Sequence, residues 1–202
     1  MNEDYRSRIY ELYATNFQDV PETFNEGAAW RWGGAYRFYM REWLPEDKSA
    51  NIVDLACGWG RLLYFFRRMV YQNVTGVDIS PEQVKLSKQV TQNVKEANVL
   101  DYLESNPTSF HLIGDLDIVE HFHKPEVLRF LGGCNWALKI GGRLILKIPN
   151  ADSPWGSVHR YNDFTHEVGF NPNSLTRLLR LSGFSNIEVR EQGPVPLGYS
   201  AI

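Results

Sequence analysis

The sequence predicts an α/β fold: a doubly wound, mostly parallel sheet with helices on both faces and a helical cap in front of it. Three observations carry this reading. From residue 51 onward, short apolar runs that read as buried strands alternate with stretches of helical spacing. The first run ends in a glycine-rich turn, Asp54-Leu55-Ala56-Cys57-Gly58-Trp59-Gly60, that leads straight into a helix. The first 50 residues differ in character, concentrating Trp30, Trp32, Trp43, Tyr5, Tyr10, Tyr13, Tyr36 and Tyr39. The chain therefore divides into a cap or lid, residues 1–49, and a sheet domain, residues 50–202.

Residues 4–15 and 34–44 read as amphipathic helices, with Pro21 and Gly33-Gly34 as breaks. Asn51–Ala56 is the first strand, and residues 61–70 the first helix behind it. Asn73–Asp78 is the second strand. Ser80-Pro81-Glu82-Gln83 opens the next helix, with Ser80 as N-cap, Pro81 in the first turn and Gln83 at the capping-box position. Residues 94–99 read as a weak strand, 101–105 as a short helix and 110–116 as a strand. A helix over 125–138, a turn at Lys139–Gly142 and a strand over 143–148 follow. Residues 149–167 read as a long polar loop, 173–182 as a helix stopped by Gly183, and 186–191 as a sixth strand. The tail from Gln192 is too rich in Pro and Gly for another strand.

Composition narrows the function classes. The 202 residues carry a net charge of −3, with 43% hydrophobic and 13% aromatic residues. That describes one globular domain and excludes disordered and collagen-like chains. It lacks the basic excess of a nucleic-acid binder. Cys57 and Cys134 cannot make a disulfide framework, and no C-x-x-C offers a thiolate zinc site. No H-E-x-x-H or other ligand spacing stands out, so no metal site is predicted. The opening residues lack the apolar stretch of a signal peptide, and no run reaches the ~20 residues of a membrane span. A cytoplasmic protein is expected.

The chemistry sits at the glycine turn. Gly58 and Gly60 let backbone approach a ligand, and the following helix points N–H groups at it. Asp78 ends the second strand twenty residues after Gly58, the spacing of an acid that accepts ribose hydroxyls. A dinucleotide fingerprint would place a third glycine where Leu63 stands, which disfavours a nicotinamide-dependent oxidoreductase.

The turn resembles the first motif of class I S-adenosylmethionine-dependent methyltransferases, whose Rossmann-like fold matches the predicted order. Gly76–Gln83 looks like that family's second motif, Asn98–Leu103 its adenine-contacting stretch, Phe110–Phe122 its fourth-strand motif, and Leu138–Leu144 the turn before its fifth strand. The resemblance implies S-adenosyl-L-methionine as cofactor and S-adenosyl-L-homocysteine as product. By position, it has Asp54 orient the loop and the methionine amino group, while Ala56, Gly58 and Gly60 line the methionine and ribose. It has Asp78 hold the ribose hydroxyls, Ile79 pack on adenine, Asn98 and Val99 contact the adenine edge, and the backbone at Asp115 and Leu116 approach the sulfonium. Two positions depart from the family: Ala56 replaces its first glycine, and Asn98 replaces the usual Asp. Ala56 is tolerated at negative φ and strained at positive φ.

The segments Pro149–Pro154 and Asp163–Glu167 resemble those of a bacterial subgroup that tailors polysaccharides and small metabolites. The resemblance implies methyl transfer to a hydroxyl of a small molecule or glycan. His166 is the first candidate for its general base, oriented by Asp163 or Glu167, and His121 the second. A non-catalytic S-adenosylmethionine-binding protein is the rival reading, supported by Ala56 and Asn98. The family's sheet has a seventh strand that this chain is not expected to form, so the unfinished edge offers a surface for self-association.

Overall fold

The computed structural model describes residues 5–18 and 22–192. The break expected at Pro21 and the tail 193–202 lie outside the described residues.

Five strands form one parallel sheet in the order β3-β2-β1-β4-β5. They are β1 (Asn51–Leu55), β2 (Asn73–Asp78), β3 (Val94–Glu96), β4 (Phe110–Leu116) and β5 (Leu138–Lys147). The order reverses between β1 and β4, which fixes the switch point where a ligand crevice opens at the strands' carboxyl ends. Side chains alternate across the sheet, so β1 feeds two cores. Val53 and Leu55 pack with Ile113, Leu103 and Phe130 on one face; Ile52 packs with Leu63, Phe66 and Leu112 on the other. Asp54 is flanked in register by Gly76 and Gly114. A Cβ on Gly76 would come within 2.7 Å of Leu63 Cδ1 and 2.9 Å of Cys57 Sγ, so only glycine admits the turn and the helix behind it.

The helices are α1 (Tyr5–Glu11), α2 (Tyr13–Asn16), α3 (Glu26–Met40), α4 (Arg61–Arg68), α5 (Pro81–Ser87), α6 (Val99–Glu104), α7 (Lys124–Ala137), α8 (Gly156–Asn162) and α9 (Pro172–Leu181), with a 3₁₀ turn at Val119–His121. Ser80 caps α5 as predicted, accepting from the Gln83 amide. The Gln83 side chain does not complete a capping box; its amide donates to Gln18 Oε1 at 2.8 Å, tying α5 to the cap. Among the described residues no helix is long and apolar enough to cross a membrane.

Four expectations are corrected. Helix α3 starts at Glu26 under the Asn25 cap and runs through Gly33-Gly34. Its buried stripe Ala29, Gly33, Tyr36 and Met40 packs on α4, and tertiary contact overrides the glycines' low propensity. The turn at Lys139–Gly142 becomes a bulge in β5: Phe110 pairs Leu138, but Leu112 pairs Arg143. The polar segment after β5 holds a helix, α8, followed by a parallel bridge from Asn150 to Phe170. Residues 186–191 form no strand. Their charged side chains are held by the cap instead: Trp43 Nε1 donates to Glu188 at 2.9 Å, and Arg190 donates to the Tyr39 carbonyl at 3.0 Å and Glu42 at 2.6 Å.

Candidate functional site

The site is built on the carboxyl ends of β1, β2 and β4. After β1 the chain turns through three consecutive left-handed stations: Ala56 (φ 50), Gly58 (φ 52) and Gly60 (φ 95) alternate with ordinary residues. Backbone bonds pin the turn. The Cys57 amide donates to the Val77 carbonyl at 3.0 Å, and the Gly60 amide to the Cys57 carbonyl at 3.0 Å. Gly60 sits hard against α5; a Cβ there would meet Val90 at 3.1 Å and Ser87 at 3.3 Å. Ala56 therefore has positive φ, the strained alternative.

Asp78 is buried at the end of β2. Its Oδ2 accepts from the Gly58 amide at 2.9 Å and its Oδ1 from the Ser80 amide at 2.8 Å. Each oxygen keeps a second lone pair. Burial pushes its pKa up to about 6, and the backbone amides only partly oppose this. Asp54 is also buried, its Oδ2 has no hydrogen-bond partner, and burial followed by the Asp78 charge pushes its pKa well up. Asp115, at the end of β4, is fully buried with neither oxygen hydrogen-bonded; burial and then Glu120 raise its pKa. The Ile118 amide opposes this without reaching hydrogen-bond geometry. Buried acids with unpartnered oxygens at the carboxyl ends of strands are costly on their own and suited to a cationic, hydroxyl-bearing ligand. The arrangement fits the charge and hydroxyls of S-adenosylmethionine.

The residues expected on the adenine side follow in the same order along the chain. Ile79, next to Asp78, is 44% exposed and offers an apolar surface for a ring. Asn98 caps α6, its Oδ1 accepting from the Leu100 amide at 2.9 Å, which uses one of that oxygen's two lone pairs. Val99 is buried among Leu100, Leu103 and Phe110. Leu116 is partly buried against the α4 face. Sequence reasoning missed Gln83. Its Oε1 is buried, unpartnered and 3.8 Å from where a Cβ on Gly58 would lie, so it faces the same turn.

The second half of the site is made by the 3₁₀ turn after β4 and the loop after α8. Asp117, between β4 and the 3₁₀ turn, carries a left-handed φ of 67 and pairs with Lys147. His121 and His166 meet edge to face with ring centroids 4.6 Å apart. Asp163 does not orient His166. Its Oδ1 accepts from the Thr165 hydroxyl at 2.6 Å and its Oδ2 from the Tyr13 hydroxyl, and Thr165 Oγ1 lies 2.7 Å from His121 Nδ1. His166 Nδ1 instead faces the His159 carbonyl at 3.0 Å, and the Glu167 carboxylate accepts from the Tyr5 hydroxyl. Burial pushes the His121 pKa down to about 4. Glu120, also missed from the sequence, is 3% exposed with both carboxylate oxygens unpartnered. Together with His121 and His166 it places three potential ligand atoms within 4.8 Å of one another. The 44 residues between His121 and His166 hid this grouping from any spacing rule. The D-I-V-E-H run after β4 was the only local signal.

Helices α1 and α2 lie across both halves. Arg6 donates to Glu126 at 2.7 and 3.0 Å, and to the His121 carbonyl at 3.4 Å. Thr15 donates to Glu82 through its amide at 3.1 Å and its hydroxyl at 2.7 Å.

A family model described as "Methyltransferase domain" matches residues 24–189. Sphingolipid C9-methyltransferase B of Emericella nidulans is 24% identical over 123 residues, 58% of this chain and 23% of that protein. Mouse (Mus musculus) EEF1A lysine methyltransferase 2 is 27% identical over 116 residues, 53% of this chain and 46% of that protein. This chain thus aligns with less than half the length of either curated relative. A crystal structure of an S-adenosylmethionine-dependent methyltransferase from Archaeoglobus fulgidus superposes with a TM-score of 0.69 at 23% identity, covering 88% of this chain and 75% of that one.

Proposed function

Because the chain belongs to the methyltransferase domain family, matched over residues 24–189, we propose that it transfers a methyl group from S-adenosylmethionine to a hydroxyl of a small molecule or glycan. The observation that carries this reading is the strained turn closed onto Asp78, beside the unpaired buried acids Asp54 and Asp115. The cofactor supplies an electrophilic methyl group on a positively charged sulfur. The protein's contribution is mainly placement and charge. Asp78 would accept the ribose hydroxyls on its free lone pairs, and Gln83 Oε1 would add an acceptor beside it. Asp54 would take the methionine ammonium. Ile79 would cover one face of the adenine. The turn's amides, fixed by Val77 and Cys57, would hold the methionine portion without reorganising.

On the acceptor side, the His121–His166 pair offers the ring nitrogens that could accept a hydroxyl proton. Exposed Trp155, Tyr161 and Phe164 surround that loop and suit a ring or sugar face. Helices α1 and α2 act as a lid that reads both halves through Thr15 and Arg6. The buried free thiols Cys57 and Cys134 suit a reducing, cytoplasmic setting.

Transfer of labelled methyl from S-adenosylmethionine to a panel of hydroxylated sugars and small phenolic or aliphatic alcohols tests the reading. Turnover is expected with at least one acceptor, and His166→Ala should lower kcat with little change in cofactor affinity. Cofactor binding with no transfer to any acceptor in the panel would contradict it.

A further inference from the structure

We propose that Glu120, His121 and His166 form a site for a divalent first-row transition ion beside the cofactor crevice. One carboxylate oxygen of Glu120 and one ring nitrogen of each histidine lie within 4.8 Å of one another. Glu120 is almost wholly buried, and neither of its oxygens has a hydrogen-bond partner. A buried carboxylate without a hydrogen-bond partner is unfavourable, and an ion facing it supplies that partner.

The histidines are already set as ligands. His166 Nδ1 faces the His159 carbonyl, which can only accept. Nδ1 therefore carries the proton, and Nε2 presents its lone pair. The Thr165 hydroxyl donates its proton to Asp163, so its oxygen accepts from His121 Nδ1. His121 likewise presents Nε2. An imidazole whose Nδ1–H is fixed by an oxygen is the usual outer-shell arrangement of a ligating histidine. The segment carrying His166 is clamped onto the Glu120 backbone. The Glu167 and Val168 amides both donate to the Glu120 carbonyl, at 2.7 and 3.1 Å. Arg160 donates to the carbonyls of His166 and Glu167. The donors are thus gathered before any ion arrives, and an ion roughly 2.1 Å from each closes the remaining gap by small side-chain rotations.

Two imidazoles and one carboxylate select Mn²⁺, Fe²⁺, Co²⁺ or Zn²⁺ over Mg²⁺ and Ca²⁺, which favour all-oxygen sets. Three protein ligands leave positions open. Under the methyl-transfer reading, on which this role rests, an acceptor hydroxyl would take an open position and become more acidic. Its oxygen gains the methyl group, its proton passes to water, and the sulfonium becomes the neutral thioether. His121 and His166 then serve as ligands in place of a proton acceptor.

The test uses the 202-residue chain stripped with a chelator and titrated with MnCl₂, followed by paramagnetic resonance, and with ZnCl₂, followed by calorimetry. One ion per chain is expected. Glu120→Gln and His166→Ala should each weaken it at least tenfold while the melting temperature and S-adenosylhomocysteine affinity hold. His166 is part-exposed, so its variant remains informative if Glu120→Gln fails to fold. Failure of both ions to bind more tightly than about 1 mM, or equal affinity in wild type and His166→Ala, would overturn the site. Methyl transfer that survives chelation unchanged would overturn the ion's role in the reaction. Absence of transfer with the ion bound would count against the methyl-transfer reading and leave the site standing.

Discussion

Ala56 occupies a backbone station that glycine would occupy without cost. At φ 50 its methyl group sits in the left-handed region, which costs an L-residue about 1–2 kcal/mol. Asp117, at φ 67, holds the matching place after β4, so two of the five positive-φ non-glycine residues among the described residues lie at the strands' carboxyl ends. Ala56→Gly should raise the midpoint of thermal unfolding, by about 1 kcal/mol of stability, and leave S-adenosylmethionine affinity unchanged or improved. Calorimetric melting of the two proteins checks this. The acids of the crevice make a second prediction. An unfolded chain releases the Asp78 proton near pH 3.8, whereas the folded chain keeps it until about pH 6. Between those values the native state binds more protons, so this group's stabilising contribution is full below about pH 4 and is lost as pH rises through 6. Asp54 shifts in the same direction. In the proposed role, ionised Asp78 is the form that would accept ribose hydroxyls on both oxygens. Affinity for S-adenosylmethionine should therefore weaken several-fold between pH 7.5 and 5.5, and Asp78→Asn should flatten that dependence. Titrations at the two pH values decide it; an affinity that strengthens toward pH 5.5 contradicts the assignment.

At the scale of elements, local signals were legible where local chemistry decides. Strand β2, its terminal Asp78, the Ser80 cap and the Gly183 stop of α9 all follow from residues within one turn of the feature. The errors fall where distant contacts decide. Gly33-Gly34 reads as a break, yet α3 continues because its small buried stripe fits α4. Residues 186–191 alternate like a strand, yet Glu188 and Arg190 find partners on the cap and no ladder forms. The lid shows the same dependence. Helices α1 and α2 are short, and α1 buries no residue, so their position rests on side-chain anchors. Arg6 is one of these, paired with Glu126 at side-chain exposures of 14% and 28%. Arg6→Ala should speed hydrogen exchange of amides in residues 5–16 while those of β1 and β4 keep their protection. Equal loss of protection in the sheet would mean that the lid and sheet unfold together.

For the whole molecule, the sheet order places every residue proposed for the cofactor along the carboxyl-terminal edge of the strands. The sequence made that edge readable because strand, glycine turn and terminal acid are local and ordered. Asp54, Gly58, Gly60, Asp78 and Ile79 were all singled out from spacing and resemblance, and the fold gathers them at the carboxyl ends of β1 and β2, where the Gly58 amide closes onto Asp78. The acceptor side was less readable. Asp163 reaches His121 through Thr165, Glu120 sits unpartnered beside both histidines, and Gln83 faces the turn from α5. Each of these depends on where a loop lands, which no residue spacing encodes. The sheet has five strands among the described residues, one fewer than the six read from the sequence. The outer strands β3 and β5 each have one neighbour, and β5 is the longer edge. A second copy pairing there is open to test by light scattering.

Titration calorimetry of the purified chain with S-adenosylmethionine, S-adenosylhomocysteine and NAD bears most directly on the whole account. One equivalent of each sulfur ligand should bind, NAD should not, and Asp78→Ala should weaken the sulfur ligands at least tenfold, about 1.4 kcal/mol. NAD binding without either sulfur ligand, or an Asp78→Ala protein with unchanged affinity, would contradict it.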